Sequence, residues 1–136
     1  MGRRQKTRLR TCWGVADLNA SEYRVPVTAE DRLRAGLAIH MVAARTGVQP
    51  EQMTARGRAD TGVSRARWLA MYLAHISFGW PLERVAHVFG LNRSTASTAC
   101  RWVEEARDAQ PVDQLLTQLE ACLHSVVEAP RQELPR

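Results

Sequence analysis

The sequence predicts an all-α fold, a compact helical domain of about five to six helices that contains a helix-turn-helix. Apolar residues recur at i, i+3, i+4 and i+7, the spacing of one helix face, in several successive segments. Capping residues, glycines and prolines fall where these segments begin and end. No segment shows a strand pattern that competes with the helical one, so we do not expect a sheet.

The first half of the domain contains two long predicted helices and a short one. The first helix begins after Thr28, whose hydroxyl can cap it, and ends at Gly47, while Pro50 starts a short helical turn. The next helix is capped by Ser64, runs to about Phe78, and is the most apolar. We therefore expect it at the centre of the core, with these residues on its buried face: Leu69, Tyr72, Leu73 and Ile76.

The segment from Leu82 to Glu104 has the pattern of a helix-turn-helix. Gly90 lies where a left-handed helix stop is needed, and Asn92 is a good N-cap for a second helix. Two short helices joined by a glycine-containing turn, with small residues at their crossing, are typical of this motif. The second helix is predicted to be a recognition helix for DNA, because polar residues lie at or near its exposed N-terminal end: Asn92, Arg93, Ser94, Thr95 and Thr98.

A last amphipathic helix is predicted from Val112 to Val127, with a stripe of leucines at Leu115, Leu116, Leu119 and Leu123. We expect this stripe to pack on the core of its own domain, although a dimer seam is the alternative. The predicted organisation is a basic, disordered N-terminal arm over residues 1–28, a DNA-binding domain over 29–128, and a disordered tail over 129–136.

The formal charge of +5 is unevenly distributed along the chain. Residues 1–28 carry +4 and residues 64–104 carry +3, whereas residues 105–136 carry −3. An uneven distribution of positive charge along a chain favours a polyanionic partner, most simply nucleic acid. Lys6 is the only lysine, so nearly all of the positive charge is arginine, which suits bidentate contacts to phosphate or guanine.

Other function classes lack their sequence signals. The three cysteines and four histidines show no metal-ligand spacing, so we expect no metal site, no disulfide framework and no cofactor. The carboxylates, histidines and serines form no catalytic spacing, and we do not expect an enzyme. The longest weakly charged run is too short to cross a bilayer. These features indicate a cytoplasmic, nucleoid-associated protein.

Three stretches of the sequence form a recognisable combination: Arg65-Ala-Arg-Trp-Leu-Ala-Met-Tyr-Leu-Ala, Val85-Ala-His-Val-Phe-Gly and Ser94-Thr-Ala-Ser-Thr-Ala-Cys-Arg-Trp-Val-Glu. Together they resemble the C-terminal DNA-binding domain of the bacterial replication initiator DnaA. The resemblance extends roughly from Thr28 to Leu123. It implies that the helix-turn-helix enters the major groove of double-stranded DNA while an arginine of the preceding basic loop reaches the adjacent minor groove.

The resemblance also implies roles for individual residues. By themselves, the two arginines that flank a glycine in the loop before the long helix indicate only a solvated connection. The resemblance makes Arg58 the residue that reads the minor groove. The full set of residues at base-reading positions is Arg58, Asn92, Arg93, Ser94 and Thr95. The resemblance also implies that Arg65 and Arg67 hold phosphate. The full set that we expect to hold phosphate or support binding is Arg56, Arg65, Arg67, Thr98 and Arg101.

The chain departs from the family at two points. Where the family typically has Arg-Asp-His-Thr-Thr-Val or Arg-Asp-Arg-Thr-Thr-Val, this chain has Leu91-Asn-Arg-Ser-Thr-Ala. Asn92 can pair with adenine and Arg93 with guanine, so the preferred site is expected to differ by about 1–3 kcal/mol per altered contact. The chain also has no Walker A sequence. We therefore expect a stand-alone DnaA-related regulator, similar to small proteins of alphaproteobacteria that activate gene-transfer-agent clusters.

The function predicted from the sequence is sequence-specific, double-stranded DNA-binding regulation of transcription, most simply as an activator that works with RNA polymerase or a sigma-like partner. One alternative is replication control by competition at initiator sites. Another is a protein-interaction module that has lost DNA binding and uses Trp80, Trp102 and the last helix. The sequence leaves monomer and dimer equally open.

Overall fold

A computed structural model describes residues 26–55, 57 and 59–136. The predicted N-terminal arm up to residue 25, together with Arg56 and Arg58, lies outside the described residues. Within them the chain is all-helical with no strand, which confirms the predicted fold class. The six helices are α1 (Ala29–Thr46), α2 (Pro50–Thr54), α3 (Thr61–Ser77), α4 (Leu82–Phe89), α5 (Arg93–Ala106) and α6 (Gln110–Val127).

The capping chemistry fixes most helix ends where the sequence predicts them. The hydroxyl of Thr28 accepts from the backbone N–H of Asp31 at 3.0 Å, and α1 ends at Gly47, whose φ of 80° is left-handed. The start of α3 was predicted wrongly. Asp60 caps it by accepting from the N–H of Val63 at 2.8 Å, so α3 begins at Thr61 and not after Ser64.

The longer α3 changes the position of two arginines that matter for the site. Arg65 and Arg67 lie in the second turn of α3 and not in its first turn, where the helix dipole would oppose a cation most strongly. The last helix also begins earlier than predicted, at Gln110, with Pro111 in its first turn.

Helix α3 forms the centre of the molecule, as predicted. It contributes to both groups of buried residues, and its Ala70, Leu73 and Ala74 have no exposed surface. Ile76 does not share this burial, since 47% of it is exposed, and Leu33 of α1 is 72% exposed. Alanines at 66, 70 and 74 leave room for neighbouring helices to approach α3 closely, because a methyl group fills little of the space between two helix axes.

The buried residues form two core clusters. The first cluster joins α1, α2, α3, α5 and α6, and its largest fully buried members include Val42, Leu73, Leu116 and Leu123. The leucine stripe of α6 therefore packs on the core of its own domain. The second cluster joins α1 and α3 to the helix-turn-helix: Ala35, Met71, Ala74, Trp80, Val85, Ala86, Ala96 and Ala99.

Two charged contacts connect helices that are distant in sequence. Arg84 of α4 donates to both carboxylate oxygens of the buried Asp31 in α1, from Nη2 at 2.6 Å and from Nε at 3.2 Å. Its guanidinium also lies 4.8 Å from the centre of the Trp80 ring. This bidentate pair fixes the first helix of the helix-turn-helix to the start of α1.

Arg107, which follows α5, is the second of these contacts. Its guanidinium donates to Asp113 at 2.8 Å, to Glu120 at 2.8 Å and to the hydroxyl of Tyr72 at 3.3 Å, and its side chain is only 18% exposed. Hydrogen bonding to Glu120 raises the pKa of Arg107 against the opposing effect of burial. The residue therefore stays charged and joins α3 and α6 at the end of α5.

None of the helices in the described part of the chain has the length and apolar character that crossing a bilayer requires.

We expect Arg107→Ala to lower the free energy of unfolding by about 1–3 kcal/mol, because it removes the hydrogen bonds that a largely buried guanidinium makes to Glu120, Asp113 and Tyr72. Arg101→Ala is the matched control, since Arg101 is exposed on the same helix and surface substitutions usually change stability by less than about 0.5 kcal/mol. Urea denaturation of both variants measures the difference. Equal midpoints and slopes for the two variants would show that the Arg107 contacts contribute little.

Candidate nucleic-acid interface

The turn between α4 and α5 sets the angle between these two helices. Gly90 has a φ of 72°, and the N–H of Leu91 donates to the carbonyl of Ala86 at 2.8 Å. This is the Schellman pattern, in which a left-handed residue lets the chain satisfy the last carbonyls of a helix. A side chain at position 90 would strain this backbone, so the turn depends on glycine.

Asn92 caps α5, as the sequence predicts. Its Oδ1 accepts from the N–H of Thr95 at 2.8 Å, from the Ser94 hydroxyl at 2.7 Å and from the Thr95 hydroxyl at 2.9 Å. Bidentate pairing with adenine would require this same oxygen as the acceptor from the base. Pairing would then give up a cap contribution of about 1 kcal/mol, so capping and base reading compete for one atom.

The hydroxyl contacts of Asn92 also affect its two neighbours. The hydroxyls of Ser94 and Thr95 donate to Asn92, which leaves each of them acceptor capacity. In this arrangement they match an amino group of cytosine or adenine at a base edge better than a carbonyl.

Arg93 is the first residue of α5, and its side chain lies against α4. Its Nε donates to Oε1 of Glu83 at 2.5 Å, with 42% of the Arg93 side chain and 25% of the Glu83 side chain exposed. The pair connects the two helices of the helix-turn-helix on their polar side. The sequence analysis did not single out Glu83, which lies ten positions before Arg93 and comes near it only because the two helices cross.

The predicted binding residues of α5 share one side of the helix. Arg93, Ser94, Thr98 and Arg101 are exposed, and Thr95 is half-buried. The opposite side carries Ala96, Ala99 and Val103, which have no exposed surface. The structure therefore brings the predicted residues of α5 together on the polar face that the core leaves open.

Arg65 of α3 lies beside the far end of this helix. Its guanidinium carbon is 5.0 Å from the centre of the Trp102 ring, and Trp102 packs edge-on against Trp68 with the ring centres 5.6 Å apart. The arginine is exposed, and among the described residues it has no hydrogen-bonded carboxylate. The face of the Trp102 ring holds the guanidinium of Arg65 while the N–H groups of the guanidinium can point outward. Arg65 is therefore well placed to donate hydrogen bonds to a phosphate.

Arg67 has a different environment from the one the sequence analysis gave it. Its Nε donates to the carbonyl of Met53 at 2.7 Å, and its Nη2 lies 3.4 Å from the carbonyls of Gln52 and Ala55. These carbonyls lie at the end of α2 and at the start of the loop that follows. The guanidinium thus satisfies a helix C-terminus, and a role on phosphate stays a prediction that would compete with these contacts.

The two loop arginines predicted for the minor groove lie outside the described residues. Gly57, which separates Arg56 from Arg58, is described and has a φ of 97°. A residue other than glycine would be strained there. The start of the loop is fixed by Arg67 and its end by the Asp60 cap, so both flanks of the two arginines are anchored.

The surface suggested for a protein-interaction module is largely occupied within the domain. Trp80 is 2% exposed, and Trp102 packs against the first core cluster. Leu116, Leu119 and Leu123 of α6 are buried as well. Trp102 is therefore only partly exposed.

Comparison with known proteins agrees with this architecture. Residues 37–103 match a family model described as the bacterial dnaA protein helix-turn-helix. A solved structure described as a crystal structure of DNA replication initiation factor is similar over 71% of this chain, with a TM-score of 0.62 and 26% sequence identity. The match covers 30% of that protein, so the chain corresponds to less than a third of its length. No curated protein sequence matches the chain.

The fold is that of the DnaA C-terminal helix-turn-helix domain. The matched range begins within α1 and ends at Val103 in α5, so it includes α2, α3, α4 and most of α5. The site described above therefore lies in a DNA-binding domain of the DnaA type.

Cys100 lies in α5 and gives a chemical readout of how this helix is packed. Burial, reinforced by the charge of Glu104, raises the pKa of its thiol to about 11. At pH 8 only about one thiol in a thousand is then ionised, and the thiolate is the reactive form. In a Cys12→Ser variant we expect iodoacetamide to modify the exposed Cys122 well before Cys100.

Peptide mass mapping after timed alkylation measures this order, and the urea-unfolded chain is the control, in which both thiols should react alike. Equal rates in the folded chain would contradict the packing described for α5.

The raised pKa of Cys100 also sets the direction in which pH changes the stability of the domain. The contribution of Cys100 to stability is complete below the thiol pKa of the unfolded chain. It is lost as the pH rises towards 11.

Proposed function

We propose that the chain is a sequence-specific, double-stranded DNA-binding transcription regulator that places α5 in the major groove. The observation that carries this proposal is the open polar face of α5, with Arg93, Ser94, Thr98 and Arg101 exposed on a DnaA-type helix-turn-helix. The opposite face of α5 is fixed in the core. Such an arrangement presents the N-terminal part of a rigid helix to base edges, as helix-turn-helix proteins do.

In this proposal the residues divide by the part of DNA that they contact. Arg93, Ser94 and Thr95 read base edges in the major groove, and Arg58 reaches the minor groove from the basic loop. Arg65, Thr98 and Arg101 hold phosphates on either side and fix the register, since phosphate contacts position a protein while base contacts specify the sequence. Asn92 contributes through the cap that orders Ser94 and Thr95.

Regulation of transcription, as an activator with RNA polymerase or a sigma-like protein as partner, is the biological setting that we propose. Replication control by competition at initiator sites is the second candidate, and the similarity to a replication initiation factor favours it. Occupancy across the genome separates the two, because promoter peaks support transcription and origin peaks support replication. A mobility shift on random duplex at low salt tests the protein-interaction alternative, which requires that no binding occurs.

Arg93→Ala is expected to relax the preference at one base pair of the selected site by about 1–3 kcal/mol, because a bidentate contact to guanine is lost there. Selection of bound sequences from a random library, followed by titration of the site and of each single-base variant, measures this change. Arg131→Ala is the charge-matched control, since Arg131 lies in the C-terminal tail and its side chain is 87% exposed. If no position relaxes in Arg93→Ala, then Arg93 does not read a base.

Arg65→Ala is expected to weaken binding to all sequences alike and to reduce the slope of log K against log salt by about one unit, because one phosphate contact is lost. Binding isotherms at four salt concentrations, on the selected site and on a random duplex, provide the slopes. Trp102→Phe keeps an aromatic face beneath the arginine and should change both slopes little. A loss confined to one base pair would instead assign Arg65 to base reading.

A further inference from the structure

Glu83 is a negative charge on the surface that the proposed function turns toward DNA. It lies in the first turn of α4, and its carboxylate accepts from Nε of Arg93 at 2.5 Å. A carboxylate near the phosphate backbone lowers the affinity for every sequence. A carboxylate beside a proposed base-reading residue must therefore have a favourable effect that offsets this loss of affinity.

Stability gives only a weak reason. Arg93 is 42% exposed and Glu83 is 25% exposed, and ion pairs with this degree of exposure contribute little to folding. The position of Arg93 gives a second, modest reason, because a cation at the first residue of α5 is disfavoured by the helix dipole. A nearby carboxylate reduces that penalty, but any orientation of the arginine would serve this purpose.

The geometry offers a more specific reason, which is orientation. The guanidinium is a planar fork with five N–H donors, so it has enough donors to engage one carboxylate oxygen and the two acceptors of a guanine edge together. Donation from Nε to Glu83 fixes the plane of the fork relative to α4 and α5. A long side chain that is already held in one orientation loses less conformational entropy when it meets its base.

We infer that Glu83 is a positioning residue for Arg93 and, through it, a determinant of sequence specificity. Glu83 repels every duplex, and it orients the guanidinium for one base pair, whose contact offsets that repulsion only where this base pair is present. Specificity is a difference between two affinities, and one carboxylate changes both affinities in the useful direction. The inference rests on the proposed function, since it requires that Arg93 reads a base.

The principal test is Glu83→Gln, which removes the charge and keeps the shape. Affinity for a random duplex is expected to rise, and affinity for the selected site is expected to fall, so that the ratio of the two drops roughly fivefold. The loss is expected at the same base pair that Arg93→Ala relaxes. Titrations on the selected site, its single-base variants and a random duplex provide these values, with thermal unfolding as the check that the domain is folded.

Glu105→Gln is the matched control. Glu105 is an exposed carboxylate near the end of α5, and its replacement changes the net charge by the same amount. It should tighten binding to the selected site and to random duplex alike, with an unchanged ratio. If Glu83→Gln behaves in this way too, Glu83 is only a surface charge and the inference is overturned.

Two further variants separate positioning from direct contact. Arg93→Lys keeps the positive charge but lacks the planar fork, so random-duplex affinity should stay the same while the preference at one base pair falls. In an Arg93→Ala background, Glu83→Gln should change no base preference, because the residue that it positions is gone. A changed preference in that background would show that Glu83 reads a base itself, and would overturn the inference.

The same experiments distinguish failure of the inference from failure of the proposed function. If Arg93→Ala relaxes one position and Glu83→Gln does not, the proposed function stands and the role of Glu83 is wrong. If Arg93→Ala relaxes no position, the base-reading role of Arg93 is wrong and the inference fails with it. Absence of duplex binding by the unchanged protein would overturn both.

Discussion

Helix α3 packs against α1, α4, α5 and α6 through its buried side chains, so the positions of these helices follow from contact with it. This helix contributes to both core clusters, and its small residues allow α1 and α5 to approach it closely. Met71 and Ala74 of α3 pack in the same cluster as Ala96 and Ala99 of α5. Helix α5 is therefore held by the largely buried α3, and this packing makes the outer face of α5 rigid enough to present side chains in a fixed pattern.

Polar contacts add orientation to this apolar packing. The Asp31–Arg84 pair fixes α4 against α1, and Arg107 joins the end of α5 to α3 and α6. A buried alanine surface alone would allow neighbouring helices to slide or rotate by small amounts, whereas bidentate ion pairs tolerate little displacement. The helix-turn-helix is thus fixed at both of its ends, at α4 by Asp31 and after α5 by Tyr72, Asp113 and Glu120.

The structure divides the arginines into two groups that composition cannot distinguish. Arg67, Arg84 and Arg107 contact carbonyls or carboxylates within the domain, and their main effect is on the positions of helices. Arg101 of α5 and Arg65 of the neighbouring α3 are exposed. Arg93 lies on the same open side of α5 and contacts Glu83. The net charge of a basic segment therefore overstates the charge that is available to a polyanionic ligand, because some of its arginines are already engaged within the domain.

The order of the helices, the turn at Gly90, the Asn92 cap and the polar face of α5 could all be predicted from the sequence. These features depend on neighbours three to five residues apart, for which periodicity and capping rules hold. The start of α3 was predicted wrongly, because both Ser64 and Asp60 are good caps and only the folded backbone selects between them. Tertiary structure alone decided that Arg67 binds carbonyls, that Arg107 joins three helices and that Glu83 lies against Arg93. These partners are 6 to 35 positions apart in the chain, and they meet only because helix packing brings their side chains within hydrogen-bond distance.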